Sequence, residues 1–263
     1  MDDGQADART ASKQLPSRRI ADAVRASIVD GELNPGDKLP SERELAARFG
    51  TARNTAREAV RLLADEGLVS ARHGKGVFVR EQQRLFRWGH ERYSKKVYRE
   101  TGLTPFRLEM HRQGKSARID CVAIDRITPP ADVAEHLKAD ISDQSVIRRK
   151  NLYYADDEPV QVVITYIRWE DAAGTLLLEP KTGPGGIYGR LEDAGYYMAS
   201  GQDQIVARMP SHDEASFLQL PPSTPVLEVL HTSYDQNGEP FEVSRFVHRG
   251  DRTGLHYTFA VDD

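Results

Sequence analysis

Arg53, Asn54, Arg57 and Arg61 occupy positions that share one face of a helix. At about 100° per residue they fall within an arc of about 100°, while Ala56, Ala59, Val60, Leu62 and Leu63 fill much of the remaining circle. One face can therefore pack and the other can meet a partner. A guanidinium presented in this way can donate two parallel bonds to guanine O6 and N7 in a DNA major groove. Arg61 lies nearer the helix end, with Glu58 and Asp65 in reach, and reads as an ion-pair residue. In the preceding helix Arg43 sits in the first turn and suits a phosphate, while its neighbour Glu42 suits capping or orienting an arginine. Further on, His73-Gly74-Lys75-Gly76 makes a hairpin tip with two donors and no apolar side chain. Glycine there lets the backbone turn with positive φ and approach a narrow groove. The candidate DNA-contacting set is Arg43, Arg53, Asn54, Thr55, Arg57, His73, Gly74 and Lys75.

The neighbouring elements must hold that face outward. Ile20, Val24 and Ile28 recur at spacing four, which predicts an amphipathic helix over Ser17 to Asp30. Ser41 with Glu44 three residues on is a capping box opening a second helix, and Gly50 closes it. The third helix is expected over roughly Ala52 to Glu66. Leu68–Ala71 and Val77–Val79 then read as the strands of a wing. Helix, turn, helix and a basic wing together form a device for placing side chains on DNA.

The net charge of −4 argues against such a partner until it is divided. Residues 1–112 hold 22 Lys/Arg and 16 Asp/Glu, net +6, and residues 113–263 hold 14 and 24, net −10. A cationic front on an acidic back suits a DNA-binding module carried by a domain that avoids phosphate. No apolar run approaches the roughly 18 residues of a membrane span, and the polar start lacks a secretory signal. A single cysteine, Cys121, rules out an internal disulfide and suits a reducing cytoplasm. It is expected to be a buried, inert thiol.

The domain plan is a disordered leader over 1–14, the winged helix-turn-helix over 15–80, a partly helical linker over 81–104 and a second domain over 105–263. In the second domain the hydrophobic period changes to two. Strands are expected at Ile119–Ile127, Val160–Trp169, Gln204–Met209, Val226–Tyr234 and Phe241–Val247, with short helices near Pro130–Lys138, Ile187–Ala194 and Ser211–Leu218. Asp156 to Pro159 and Asn237 to Pro240 imply hairpins. The fold class is α+β, with a largely antiparallel sheet behind an N-terminal winged helix. No HExxH, GxSxG, paired-cysteine, dinucleotide or P-loop spacing is present, so no enzyme, metal or cofactor is expected.

GDKLPSERELAARFG, TARNTAREAVRLLADEGLV and the HGKG wing resemble the winged helix of GntR-family bacterial transcription regulators. The second half resembles the UTRA effector domain of the HutC-type branch, whose fold is like chorismate lyase. Carrying the resemblance are Gly102-Leu103-Thr104-Pro105, the turns at 154–160 and 234–240, and the run from Ser244 to Arg252. The resemblance implies a cytoplasmic, nucleoid-associated homodimer, most often a repressor, reading a palindromic operator under a small-molecule effector. A constitutive DNA-binding repressor whose second domain only dimerises is the alternative. The resemblance also places an effector pocket at Tyr93, Ser94, Arg148, Asn151, Tyr153, Glu242 and His248. Asn151 and Tyr153 replace arginines that grip phosphate in sugar-phosphate sensors, Val163 replaces a glutamate and Gly186 a serine. Losing both arginines disfavours a sugar phosphate and suggests a larger, less charged ligand.

Overall fold

The computed structural model describes residues 15–80, 84–93 and 100–259, so the leader expected over 1–14 lies outside the described residues. The chain divides into two compact units, the first holding the residues up to 83 together with 221–224 and the second the rest from Arg84 on.

In the first unit, α1 (Pro16–Val29) starts with proline in its first turn, where a missing N–H costs nothing. It buries Ile20, Ala21 and Val24. α2 (Glu42–Phe49) opens on the expected capping box: Glu44 N donates to Ser41 Oγ at 3.3 Å, and Ser41 N donates to Glu44 Oε2 at 2.7 Å. Gly50 ends it with φ +62°, a left-handed geometry that glycine adopts without a Cβ penalty. α3 (Arg53–Asp65) buries Ala56, Ala59 and Leu63 against α1 and α2. β1 (Val69–Arg72) and β2 (Gly76–Val79) pair antiparallel as the wing. The segment before α2 ties to β2: Leu39 N donates to Val77 O and Val79 N to Asp37 O, each at 2.8 Å. Every element of this unit stands within two residues of its sequence-based bounds.

The second unit is built on a six-stranded sheet of order β4–β5–β6–β9–β8–β7, with every neighbouring pair antiparallel. Its strands are β4 (Ala117–Ile127), β5 (Val146–Ala155), β6 (Glu158–Arg168), β7 (Ser200–Arg208), β8 (Val226–Tyr234) and β9 (Pro240–Arg249). The β5–β6 turn places Asp156 and Asp157 at φ +49° and +63°, the pair of positive angles that matches hairpin twist. α5 (Ala131–Leu137) covers one face through Val133 and Leu137 against Val146, Tyr166 and Val243. α6 (Gly186–Asp193) brings Leu191 onto Ile147, Ile167 and Phe241. α7 (His212–Phe217) is followed by Leu218, packed on Val162, Val226 and Val247.

Two elements depart from the element pattern expected from the sequence. β3 (Leu85–Trp88) lies inside the stretch expected as linker, yet it pairs in parallel with β10 (Thr253–His256), so the second unit starts at Arg84. Its inward residues are Leu85 and Arg87, and the buried arginine hid the alternation that marks a strand. A helix not anticipated, α4 (Pro105–Arg112), is too short for a clear period but buries Phe106 and Met110 against Ala155 and Val160.

Candidate nucleic-acid interface and effector cavity

In the first unit the arginines of α3 are outside and organised. Glu42, at the start of α2, receives Arg53 Nε at 3.0 Å and Arg57 Nε at 3.1 Å, with Arg57 Nη2 at 3.3 Å. The arginines keep 67% and 58% of their side-chain surface exposed. Bonds from Arg57, outweighing partial desolvation and helped by Arg53, hold the Glu42 carboxyl below its ordinary range, so it stays an anion that orients both guanidinium groups. Arg53 spends only Nε, leaving both terminal nitrogens available for a bidentate contact. Arg61 pairs with Glu58 at 2.7 Å and Asp65 at 3.3 Å, as expected for a residue outside the contact set. Arg43 and Asn54 are exposed and Thr55 half-buried. At the wing tip His73, Gly74 and Lys75 are exposed, and Lys75 N closes the turn on Arg72 O at 2.9 Å. Gly74 has φ +70° with open space around its missing Cβ, so nothing fills the tip but backbone.

In the second unit a cavity of about 450 Å³ opens over the face of the sheet beneath α4 and α6. β5 points alternate residues into it: Arg149, Asn151 and Tyr153. Register carries the same face across the sheet, Arg149 opposite Thr165 opposite Ser244, and Asn151 opposite Val163 opposite Phe246. Tyr93 and Tyr188 meet edge to face at 5.5 Å, and Tyr153 meets Phe106 in the same way at 4.8 Å. Gly186, with φ +64°, sits so close that a Cβ would lie 2.9 Å from Thr104 Cγ2. Val163 and Gly186, the two departures from the resembled pocket, both line this cavity.

Of the predicted effector residues, Tyr93, Asn151 and Tyr153 come together here, and Ser94 lies outside the described residues. Arg148 does not belong. It has the opposite parity on β5 and pairs with Asp125 at 2.6 Å on the other face, while Arg149 takes the cavity position. Period two alone separates Arg148 from Asn151 and Tyr153, a signal present in the sequence. His248 is also displaced, lying beyond Phe246 in a separate void of about 20 Å³ with Arg87, Glu109 and Gln161. Burial first, then Arg87 and Arg92, pushes its imidazole well below the ordinary value, so it stays neutral. Glu242 lies behind the wall, fully buried, accepting from Ser233 at 2.7 Å, from Tyr188 at 3.2 Å and from Ser244. Arg149, Thr165 and Ser244 converge here through sheet register, and Arg92 and Tyr188 through the packing of a 3-10 turn (His90–Tyr93) and α6 over the sheet, none of which shows in any one stretch of sequence.

Asp203, His231 and Ser233 stand in the order of a hydrolytic triad, with His231 Nδ1 2.6 Å from Asp203 and Nε2 3.1 Å from Ser233 Oγ. Ser233 is fully buried and its hydroxyl donates to Glu242, so no substrate reaches it and His231 does not receive its proton. The cluster is structural. Burial opposes the charge of Asp203, yet His231 and Arg87, the latter at 2.8 Å, outweigh it and hold the carboxyl far below its ordinary range. A carboxylate depressed in the folded state contributes stability that is present above the ordinary carboxylate pKa and lost as pH falls below it. Asp203→Asn is therefore expected to lower Tm at pH 7, with the gap to the parent closing as pH falls below about 4 in thermal melts. A gap independent of pH would contradict this.

Among the described residues no group of three or more His, Cys, Asp or Glu is placed to hold a metal, and no helix is long and apolar enough to cross a membrane. Residues 16–79 match the model of bacterial regulatory proteins of the gntR family, and residues 112–253 match the UTRA domain. The chain is 32% identical over 251 residues to an HTH-type transcriptional regulator of Streptomyces coelicolor, SCO4628, covering 94% of this chain and 93% of that one. It is 30% identical over 244 residues to the HTH-type transcriptional repressor NagR of Bacillus subtilis, covering 91% and 93%. The crystal structure of PhnF from Mycobacterium smegmatis superimposes with a TM-score of 0.58 at 25% identity, over 92% of this chain and 99% of that one.

Proposed function

Because the chain belongs to the gntR family of bacterial regulatory proteins, in its HutC-type branch with a UTRA effector domain, we propose that it is a homodimeric repressor acting on a palindromic operator. It is a DNA-binding transcription regulator under small-molecule control, not an enzyme. The observation that carries the operator reading is the exposed Arg53–Arg57 pair, one helical turn apart and aimed by a single carboxylate. Arg43 and the wing residues His73 to Lys75 supply phosphate and groove contacts that set affinity, while α3 sets sequence choice. NagR is named a repressor, which supports the same sign of control here.

The dimer reading rests on β7, an edge strand of the sheet. It exposes Ile205 and Val206, with Met209 just beyond, and an unpaired edge carrying apolar side chains is suited to cover by a second copy. Two-fold symmetry then places two α3 helices on two half-sites. The protein acts where the chromosome lies, in the cytoplasm.

Selection of bound duplexes from a random-sequence pool with the full chain tests this reading. Enrichment of an inverted repeat is expected, and recovery of unrelated sequences overturns it. On the selected duplex, Lys75→Ala is expected to weaken specific and scrambled DNA alike and to lower the salt slope by about one. A loss confined to the selected sequence would contradict a phosphate role. The constitutive alternative predicts that no metabolite changes operator affinity.

A further inference from the structure

The charge of the cavity identifies what enters it. Its described lining carries Arg92, Arg107, Arg149 and Lys181, and no carboxylate. Arg107 and Lys181 are exposed, whereas Arg92 and Arg149 are 5% and 2% exposed. Arg92 shares its charge with Glu109 at 3.5 Å, but no described carboxylate pairs with Arg149. Instead its terminal nitrogens go to the carbonyls of Leu177, Glu179 (2.9 Å) and Pro180 (3.4 Å) and to Cys121 Sγ (3.7 Å). Cys121 is thus only half-buried, and it serves as an acceptor. The Nε atoms of both arginines are buried without a partner. A buried cation with no counter-ion is costly, so the cavity is electrostatically complete only with an anion in it.

The rest of the wall restricts the anion. Phe106, Tyr153, Tyr188 and Phe246 face the space, and Thr165 and Ser244 already bond each other at 2.7 Å. A phosphate needs several forked donors, but Arg149 has only one N–H left, and Nε with Nη1 of Arg92 make the one unpartnered pair on the buried arginines of the wall. A monoanionic carboxylate needs fewer, and an aromatic body suits flat ring walls.

We propose that the effector is an aryl carboxylate, its anionic end facing Arg149 and Arg92 and its ring held among Phe106, Tyr153 and Tyr188. This rests on the reading of the cavity as the effector site. The anionic class replaces the less charged ligand suggested by the loss of arginines at 151 and 153, because strand register supplies Arg149 and the 3-10 turn His90–Tyr93 supplies Arg92 instead.

Thermal melts of the full chain with 2-naphthoate, its neutral amide 2-naphthamide, glucose 6-phosphate and glucose test the proposal. At about 10 mM, 2-naphthoate is expected to raise Tm by about 3 °C, with the other three near zero. Arg149→Met should abolish the shift. Arg53→Ala/Arg57→Ala should keep it, which excludes anion binding on the first unit. Should Arg149→Met fail to fold, Val163→Glu, which sets a carboxylate in the cavity wall, should abolish the shift as well. An equal shift with the amide, a larger one with glucose 6-phosphate, or none with 2-naphthoate overturns the proposal. If operator binding then responds to some other metabolite, the regulator reading stands while the ligand class falls; if it responds to none, the effector reading falls too.

Discussion

Replacing Arg53 with alanine is expected to weaken binding to the selected operator by about 1–3 kcal/mol, between about 5- and 150-fold, with little change on scrambled duplex. The geometry supports this because Glu42 holds only the Nε of Arg53. Both terminal nitrogens stay free to face guanine O6 and N7, and the guanidinium is oriented before DNA arrives. Pre-orientation lowers the side-chain entropy lost on binding. Fluorescence anisotropy on the two duplexes at fixed salt measures the difference. Equal losses on both would make Arg53 a phosphate contact and move base reading to Asn54 or Arg57.

Leu63→Ala is expected to destabilise the first unit by about 2–5 kcal/mol, the range for emptying a fully buried leucine site. Leu63 lies on the side of α3 opposite the arginines, with none of its surface exposed, in a core shared with Ile20, Val24 and Leu45. Both tryptophans, Trp88 and Trp169, belong to the second unit, so fluorescence would miss the change. Amide hydrogen exchange is the suitable measurement. Amides of α1 to α3 should exchange roughly 30-fold faster or more, while those of the six-stranded sheet keep their protection. Uniform acceleration across both units would show that the two unfold together.

Much of the first unit could be read directly because its determinants are local. The Ser41–Glu44 capping box, Gly50 at the helix end and the arginine arc of α3 all act within one or two turns of chain. Short-range hydrogen bonding and helical period therefore predict them. The second unit was legible only in outline. Its hairpin turns are local and stand where expected, but β3 reads as linker in the sequence because a buried arginine faces inward and finds its carboxylate on β7. Strand parity separates Arg148 from Arg149, but it assigns neither to the cavity until the buried face is known.

A winged helix with a cationic face and a strand-rich second half follow from the order of residues alone, because periodicity and caps are encoded by near neighbours. The lining of the cavity, in contrast, depends on how distant strands pair. Arg149, Thr165 and Ser244 are up to 95 residues apart in sequence, and they share one row because three antiparallel strands pair in a particular register. Register is set by the packing of the whole sheet, so the charge lining the cavity could not be read from any single stretch of chain.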